Sequence, residues 1–304
     1  MPFWAWPRRP PQVKVSDAPR HKSLGTGIDT WATIIDMPTA TIEEVPGPPA
    51  LESRLLVVGD THGNGWWLRT LADLAVKLGC CGVVQLGDFG FWPDQRVLRA
   101  TGHANVDNRW LDEIADIYRT AGVWLRVIDG NHDAHPLIRE LYPANDNGVR
   151  PIRDGVLDWA DRAAVWSWHG IRFGALGGGV SIDRAVRVEN ESWWSTETIT
   201  DHDVETLINR APDGLDVLLA HDAPMLPPGM RPLADPVLRA DCYDSNQQVA
   251  RAVRATRPRL LLHGHYHRRY SASFLETDIE GLASDIEAPD GAFVVLDLAA
   301  LQVA

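Results

Sequence analysis

Apolar stretches of strand length alternate along this chain with amphipathic stretches of helix length, and this alternation restricts the possible folds more than any other feature. The run "RLLVVGDTHG" begins at Arg54, an amphipathic stretch follows and stops at Gly79, and "GVVQLGDFG" is the next apolar run. Continuously apolar strands separated by helices are typical of a sheet that is covered on both faces. This part of the chain is therefore predicted to form a βαβ unit.

The alternation continues through the rest of the chain. "NRWLDEIADIYRTAG" is predicted to be a helix capped by Asp107, and "GVWLRVIDGNHD" a third strand. His169-Gly170 is typical of a tight turn between antiparallel strands. "LDVLLAHDAP" and "PRLLLHGHYH" are further predicted strands, and each follows a helix-start pattern, T-x-x-D at Thr200 and S-x-x-Q at Ser245. With "SASFLETDIEG" and "GAFVVLDLAALQ" also predicted as strands, we expect an α/β sandwich with mixed sheets.

Composition narrows the class of protein. The chain has 304 residues, a formal net charge of -12 and three cysteines. Because the acidic charge repels polyanions, it disfavours non-specific nucleic-acid binding. Cys80 and Cys81 are adjacent and Cys242 is distant, a spacing that spells out neither a disulfide framework nor a Cys-x-x-Cys metal site. No apolar run reaches the roughly 20 residues of a membrane span, so we expect no membrane and a cytoplasmic location.

Residues 1–50 are predicted to be a Pro-rich N-terminal extension, and residues 51–304 to form one large domain. "PRRPPQ" and "EEVPGPPA" place prolines where they forbid helix and interrupt sheet ladders. Two interpretations of the extension remain open. It is either a weakly ordered segment packed on the surface or a partner-binding or lid segment.

Five of the predicted strands end on side chains that bind metals or transfer protons. Because the carboxyl ends of strands border the ligand crevice of an open α/β sheet, we expect these side chains to converge on one site. Imidazole and carboxylate together suit Mn, Fe, Zn or Ni, and the ligands exceed the demand of one ion. The sequence therefore predicts two divalent transition-metal ions, whose charge attracts a phosphate-type anion. The side chains in question are Asp60 and His62, Asp88, Asn131 and His132, His221, and His265 and His267. The alternative is that each belongs to an ordinary turn and that the five turns resemble one another by coincidence.

The motifs "GDTHG", "GDFG", "GNHD", "AHDAP" and "GHYH" occur in that order between residues 59 and 267. This series resembles the calcineurin-like metallophosphoesterase superfamily, whose pattern is D-x-H, GD, GNH[DE], a separated His, and GHxH. The resemblance covers residues 54 to 300. It implies a metallophosphoesterase domain over 51–304, folded as a four-layer α/β/β/α sandwich of two mixed β-sheets flanked by helices.

The resemblance also implies a role for each motif residue, and an enzyme in which a metal-bridging hydroxide attacks phosphorus. Manganese is the ion expected for activity. His132 would be catalytic and would donate a proton to the leaving oxygen, and Asp88 would bridge the two ions. The remaining ligands would be Asp60, His62 and His267 for one ion, and Asn131, His221 and His265 for the other.

The chain departs from the family pattern after Asp88. Many members read GDxxD, and the protein Ser/Thr phosphatases read GDxVDRG, where the second acid orients the catalytic His. The corresponding residue here is Phe91, which argues against the protein-phosphatase branch and leaves His132 without its usual partner. Asp133 and Asp129 are the alternatives for orienting it.

The stretch "GGGVSIDRAVRVENESWWSTE", residues 177–197, is the candidate for substrate contact. Arg184, Arg187 and Trp193 are predicted to grip a phosphate and stack on a flat group. The alternative is a surface excursion whose tryptophans pack on the domain. The leading hypothesis is a phosphoesterase that hydrolyses a phosphodiester or a small organic phosphate, with a nucleotide-type substrate expected. A nuclease acting on DNA or RNA and a non-catalytic protein-binding scaffold remain alternatives.

Overall fold

The strands form two mixed six-stranded sheets. The computed structural model of the protein describes residues 53–91, 108–285 and 289–302. The strands are β1 (Arg54–Val58), β2 (Gly82–Gln85), β3 (Trp124–Ile128), β4 (Val149–Arg153), β5 (Leu157–Ala160), β6 (Val165–Trp168), β7 (Ile171–Leu176), β8 (Val217–Ala220), β9 (Leu260–His263), β10 (Tyr270–Phe274), β11 (Thr277–Gly281) and β12 (Phe293–Asp297). The first sheet has the order β12-β1-β2-β3-β5-β4 and the second β10-β11-β9-β8-β7-β6.

Each sheet has four parallel strands at its centre and an antiparallel strand at each edge. In the first sheet β1, β2, β3 and β5 are parallel, while β12 and β4 are antiparallel to their neighbours. The second sheet repeats this plan with β11, β9, β8 and β7 between β10 and β6. The carboxyl ends of the central strands therefore meet at one edge of each sheet.

All the described helices except the last pack on the outer faces of the two sheets, and the last, Leu298–Gln302, packs on the core between them. The helices are α1 (Gly65–Lys77), α2 (Asn108–Ala121), α3 (His135–Leu141), α4 (Asp201–Arg210), α5 (Pro236–Thr256) and α6 (Leu298–Gln302). Helices α1 and α2 contact each other and the first sheet, and α4 contacts α5 and the second sheet. The architecture is the α/β/β/α sandwich predicted from the resemblance.

Alternation along single strands builds three hydrophobic cores. In β1, Leu55 and Val57 pack between the two sheets, while Leu56 and Val58 pack against the helices on the outer face. This follows from the two-residue period of a strand and explains why every position after the first is apolar. The third core lies between the second sheet and helices α4 and α5.

Two local predictions are confirmed and one is wrong. Thr200 forms the predicted capping box with Asp203 at the start of α4. His169 and Gly170 connect β6 to antiparallel β7 with φ values of 51° and 75°, as a type I′ turn requires. Ser245 does not cap a helix, because α5 begins nine residues earlier, at Pro236, with Asp235 as its cap. The Asp-Pro pair was the better signal.

The C-terminal segments only partly follow the prediction. "SASFLETDIEG" forms the antiparallel pair β10 and β11. "GAFVVLDLAALQ" forms strand β12 and then turns into α6, where Asp297 accepts hydrogen bonds from the backbone of Ala299 and Ala300. The predicted extension over 1–50 and the predicted cap Asp107 lie outside the described residues. Within the described residues, no helix combines the length and apolar character needed to cross a membrane.

Candidate metal centre

The eight side chains predicted from the strand ends lie together, where the two sheets present their carboxyl ends to each other. Asp60 and His62 follow β1, Asp88 follows β2, and Asn131 and His132 follow β3. The second sheet contributes His221 after β8, and His265 and His267 after β9. The site therefore draws on three strands of one sheet and two of the other.

Asp60, His62 and His267 form the first cluster. Their ligand atoms lie within 4.8 Å of one another, the spacing of groups that share an ion. His267 Nε2 lies 3.0 Å from Asp60 Oδ2, and the rings of His62 and His267 meet edge to face at 5.0 Å. The buried Nδ1 atom of His62 has no hydrogen-bond partner among the described residues. This cluster can hold one cation.

Asp88 lies between two imidazoles and is 2 % exposed. Its Oδ2 is 3.4 Å from His62 Nε2, and its Oδ1 is 3.3 Å from His221 Nε2. Burial opposes ionisation of this carboxyl, but His221, His132 and His62 outweigh burial and hold its pKa well below the usual range. Each oxygen of an ionised carboxylate thus faces a different histidine, which is the arrangement a bridging ligand needs.

Asn131, His221 and His265 form the second cluster. His221 Nδ1 lies 2.7 Å from the carbonyl oxygen of Leu86, and since a carbonyl only accepts, this nitrogen carries the hydrogen and Nε2 faces the site. Nε2 is 3.0 Å from Asn131 Oδ1. The rings of His221 and His265 have centroids 4.9 Å apart. All seven predicted ligands are therefore brought together.

The donor atoms fit divalent transition metals. His221 Nε2 faces two acceptors, Asp88 Oδ1 and Asn131 Oδ1, and either a proton on Nε2 or a bound cation satisfies them. Burial raises and His267 lowers the pKa of Asp60, with the net result below the usual value, so both carboxylates are anionic. Imidazole, carboxylate and amide oxygen together suit Mn, Fe, Zn or Ni.

Four of the ligand residues have strained backbones. His62, Asp88, His265 and His267 have φ values between 43° and 66°, a region that costs a non-glycine residue about 1–2 kcal/mol. Such strain persists only where surrounding contacts impose it, and it clusters at functional sites. Here it lets each chain turn sharply after its strand and aim the side chain back over the sheet edge.

Close approach explains two of the motif glycines. A Cβ at Gly130 would overlap Asp88 Oδ1, and a Cβ at Gly264 would overlap Asp60 Oδ1. The backbone N–H groups of the following segments bind these oxygens: His132 N donates to Asp88 Oδ1 at 2.8 Å, and His265 N donates to Asp60 Oδ1 at 2.9 Å. The glycines of the GNHD and GHYH motifs thus allow the strand ends to fix the two carboxylates.

His132 lies beside the first cluster, half-buried, with its ring 5.4 Å from that of His62. Arg187 Nη2 contacts both ring nitrogens of His132, at 3.1 Å from Nε2. The guanidinium is held in place by Asp183, which accepts from Nε at 2.9 Å, and by the carbonyl of Ser192, which accepts from Nη1 at 3.0 Å. A guanidinium is therefore in direct contact with this imidazole, and a carboxylate oxygen of Asp88 lies within 4.8 Å of one of its nitrogens.

Neither alternative acid orients His132. The carboxylate of Asp133 accepts four backbone N–H bonds, from Phe89, Gly90, Phe91 and Gly130. Asp133 therefore ties the segment after β2 to the segment after β3.

Asp129 points away from the site as well and pairs with Arg162 at 2.7 Å. Phe91, at the position of the usual acid, is buried against the rings of Tyr142 and Trp159. No described carboxylate replaces the usual partner of His132.

The three predicted substrate residues have separate environments. Of the three, Arg187 is the one that contacts a predicted site residue, His132. Arg184 is paired with Asp241 on α5. Trp193 is half-buried and, among the described residues, has no hydrogen bond or ring contact with a predicted ligand; its backbone N–H bonds Val188.

Two buried residues at the site were missed by sequence reasoning. Ser181 and Glu197 are 0 % and 1 % exposed, and Ser181 Oγ lies 3.1 Å from Asn131 Nδ2. Ser181 lies outside the regular elements and Glu197 ends a single-turn 3-10 helix, Ser195–Glu197, so neither carries a motif or a periodic pattern that sequence reasoning could use.

Comparisons with known proteins show a family for the chain and solved structures with a similar fold. A family model described as calcineurin-like phosphoesterase matches residues 53–269. Comparison with curated proteins finds no relative of significant similarity. Among solved structures, a dimetal phosphatase from Danio rerio matches with a TM-score of 0.52 and 14 % identity, covering 81 % of this chain and 92 % of that one. A protein from Thermus thermophilus matches with a TM-score of 0.49 and 14 % identity, over 83 % and 96 % of the two chains.

Proposed function

Because the chain belongs to the calcineurin-like phosphoesterase family and is a hydrolase of phosphate esters, we propose that it uses two divalent metal ions to cleave a phosphodiester or a small organic phosphate. The position of Asp88 is the observation that supports two metal ions. The two oxygens of Asp88 face His62 and His221, at 3.4 and 3.3 Å, and these histidines belong to different clusters. A single buried carboxylate thus joins two sets of ligands.

We assign the ligands as the motifs imply. Asp60, His62 and His267 hold one ion, Asn131, His221 and His265 hold the other, and Asp88 bridges them. When bound, the ions supply Lewis acidity and lower the pKa of coordinated water from about 15.7 towards about 7. The protein contributes a buried and hydrogen-bonded set of donors, four of them on strained backbone. Manganese is our choice for activity, since carboxylate and imidazole both bind it.

Arg187 and His132 would bind the ester. The guanidinium lies beside His132 at the edge of the metal cluster, and two of its five N–H groups bind Asp183 and the carbonyl of Ser192. A fixed guanidinium presents hydrogen-bond donors and a positive charge to the non-bridging oxygens of a phosphate. We place His132 on the leaving-group side, where its imidazole can donate a hydrogen bond to the departing oxygen.

The substrate is proposed to be small and of nucleotide type. The net charge of -12 works against long nucleic acids, whose binding depends on neutralising many phosphates at once. One phosphate group needs only the local positive charge of the ions and Arg187.

The test is metal analysis followed by a screen for phosphate release. Protein purified without chelators is analysed for bound metals, and then assayed with Mn(II) on p-nitrophenyl phosphate, bis-p-nitrophenyl phosphate, nucleotides and cyclic nucleotides. We expect close to two ions per chain and hydrolysis of at least one ester. Failure to bind divalent metal and to cleave any of these compounds would remove the proposal.

A further inference from the structure

A buried chain of hydrogen bonds runs behind Asn131, on the side away from the other ligands. Asn131 Nδ2 donates to Ser181 Oγ at 3.1 Å, and Ser181 Oγ donates to Glu197 Oε2 at 2.6 Å. The backbone N–H of Ser181 donates to the other carboxylate oxygen, Glu197 Oε1, at 2.7 Å. All three residues are at most 2 % exposed, so water does not compete for these bonds.

The direction of the bonds follows from chemistry. An ionised carboxylate only accepts, so the hydroxyl hydrogen of Ser181 is committed to Glu197. The hydroxyl oxygen then has only acceptor capacity left, and the Asn131 atom facing it must be the NH2 group. The carbonyl oxygen of Asn131 is thereby turned towards His221 Nε2, 3.0 Å away.

We infer that Ser181 and Glu197 are positioning residues that fix the amide of Asn131 with its oxygen towards the second metal ion. This inference rests on the proposed dinuclear site. An amide that rotated by 180° would present NH2 to the cation and could not bind it. The relay of Glu197, Ser181 and Asn131 prevents that rotation, as partners behind a metal ligand commonly do.

A single residue, Arg162, holds the chain at both ends of this relay. Arg162 donates to the backbone carbonyls of Thr196, Glu197 and Thr198 at 2.7–3.1 Å. Its Nε donates to Asp129 at 2.7 Å, two residues before Asn131 in the chain. The carboxylate of Glu197 is thus held at a fixed distance from the amide that it controls. This is a role for the 177–197 segment that its arginines and tryptophans did not suggest.

Two variants break the relay in different ways. Ser181→Ala leaves Asn131 Nδ2 without its acceptor. Glu197→Gln keeps the shape of the side chain, but glutamine offers one acceptor oxygen where Ser181 supplies two donors, its N–H and its hydroxyl. If the glutamine oxygen accepts from one of these two Ser181 donors, the other Ser181 donor faces the glutamine NH2 group. Both variants therefore release or reverse the amide of Asn131.

Ser167→Ala is the matched control. Ser167 is buried and lies on the edge strand β6, so this variant loses a buried hydroxyl that does not belong to the chain of hydrogen bonds from Asn131 to Glu197. Asn131→Ala is the reference for loss of the second ion. Burial raises the pKa of Glu197 to about 7, although the hydrogen bonds from Ser181 lower it. The measurements are therefore made at pH 8, where the carboxylate is mainly ionised.

The first readout is Mn(II) binding to metal-free protein by isothermal titration calorimetry. We expect the wild type and Ser167→Ala to bind two ions. Ser181→Ala and Glu197→Gln are expected to keep one ion and to bind the second about 10- to 100-fold more weakly. If both bind Mn(II) like the wild type while Asn131→Ala loses one ion, the positioning role is overturned.

The second readout does not depend on metal. In metal-free protein with ¹⁵N-labelled asparagine, the side-chain amide hydrogens of Asn131 are expected to exchange slowly with solvent, and faster in both variants. If the wild type bound no Mn(II), the proposed function would fail, and the amide signals would still decide the relay. Unchanged exchange in Ser181→Ala would overturn it.

Discussion

The strand ends and the 177–197 segment both supply side chains to the site, but they hold them in different ways. After β1, β2 and β9, short strained turns place His62, Asp88 and His265 directly over the sheet edge, and backbone N–H groups bind the carboxylates. In the segment, long side chains reach the site from irregular backbone. Arg187 does so with support from Asp183 and Ser192.

The difference shows which part of a site is set by the fold itself. A ligand next to a strand end inherits its position from the hydrogen-bonded sheet, so its motif can be recognised in the sequence. A side chain of the segment depends on side-chain and carbonyl partners, near in the chain for Arg187 (Asp183 and Ser192) and distant for Arg184 (Asp241). We therefore expect large effects on metal binding from changes at strand ends, and graded effects on substrate from changes in the segment.

The largest expected effect is that of Asp88→Asn. The substitution removes the negative charge of the carboxylate that faces both clusters. It should lower kcat/KM more than about 100-fold, because loss of a residue that only hydrogen-bonds to a metal ligand already costs about 10- to 100-fold. Metal content should fall below two ions per chain. Normal occupancy of both ions in this variant, measured by metal analysis, would refute the bridging assignment and weaken the contrast between the two regions.

Arg187→Met should have the next largest effect. Removing charge-assisted hydrogen bonds to a phosphate should lower kcat/KM about 10- to 100-fold, more for p-nitrophenyl phosphate, which carries two negative charges, than for the singly charged diester. Metal content should stay at the wild-type value. If kcat/KM stays within about twofold for both esters, Arg187 does not bind the substrate, and the segment has only its positioning role.

The sequence was sufficient for the sandwich architecture and for grouping the eight strand-end residues. Apolar alternation predicts strands such as β1, and parallel strands bring their carboxyl ends together wherever the sheet forms. The partner of His132 could not be predicted in this way. The motif indicated a missing acid at Phe91, but nothing in the spacing indicates that Arg187, 55 residues after His132, contacts the imidazole.

Ser245 shows a related limit. Its S-x-x-Q pattern predicted a cap, whereas Ser245 Oγ donates to the buried carboxylate of Asp222 at 2.6 Å from inside α5. A short polar pattern is compatible with either role, and only the packing of α5 on the second sheet decides between them.

Asp133→Asn should act on stability more than on chemistry. Its carboxylate accepts four backbone N–H bonds between the ends of β2 and β3, and an asparagine NH2 group would face two of these donors. We expect a loss of about 1–3 kcal/mol in the free energy of unfolding, measured by urea denaturation of metal-free protein. Asp154→Asn, at an exposed position between β4 and β5, is the control and should stay near the wild type. A neutral result for Asp133→Asn would show that the strand ends are not held together in this way.

The smallest expected effect is that of Arg184→Met, the matched partner of Arg187→Met. Both arginines belong to one segment and both were predicted to grip the phosphate, but the guanidinium of Arg184 is paired with Asp241 on α5. Because that pair is partly exposed, its loss should change the free energy of unfolding by about 0–1 kcal/mol, and kcat/KM should stay within about twofold. A loss as large as that of Arg187→Met would mean that Arg184 leaves Asp241 to bind the ester. The segment would then rearrange around the substrate, whereas the strand ends would stay fixed.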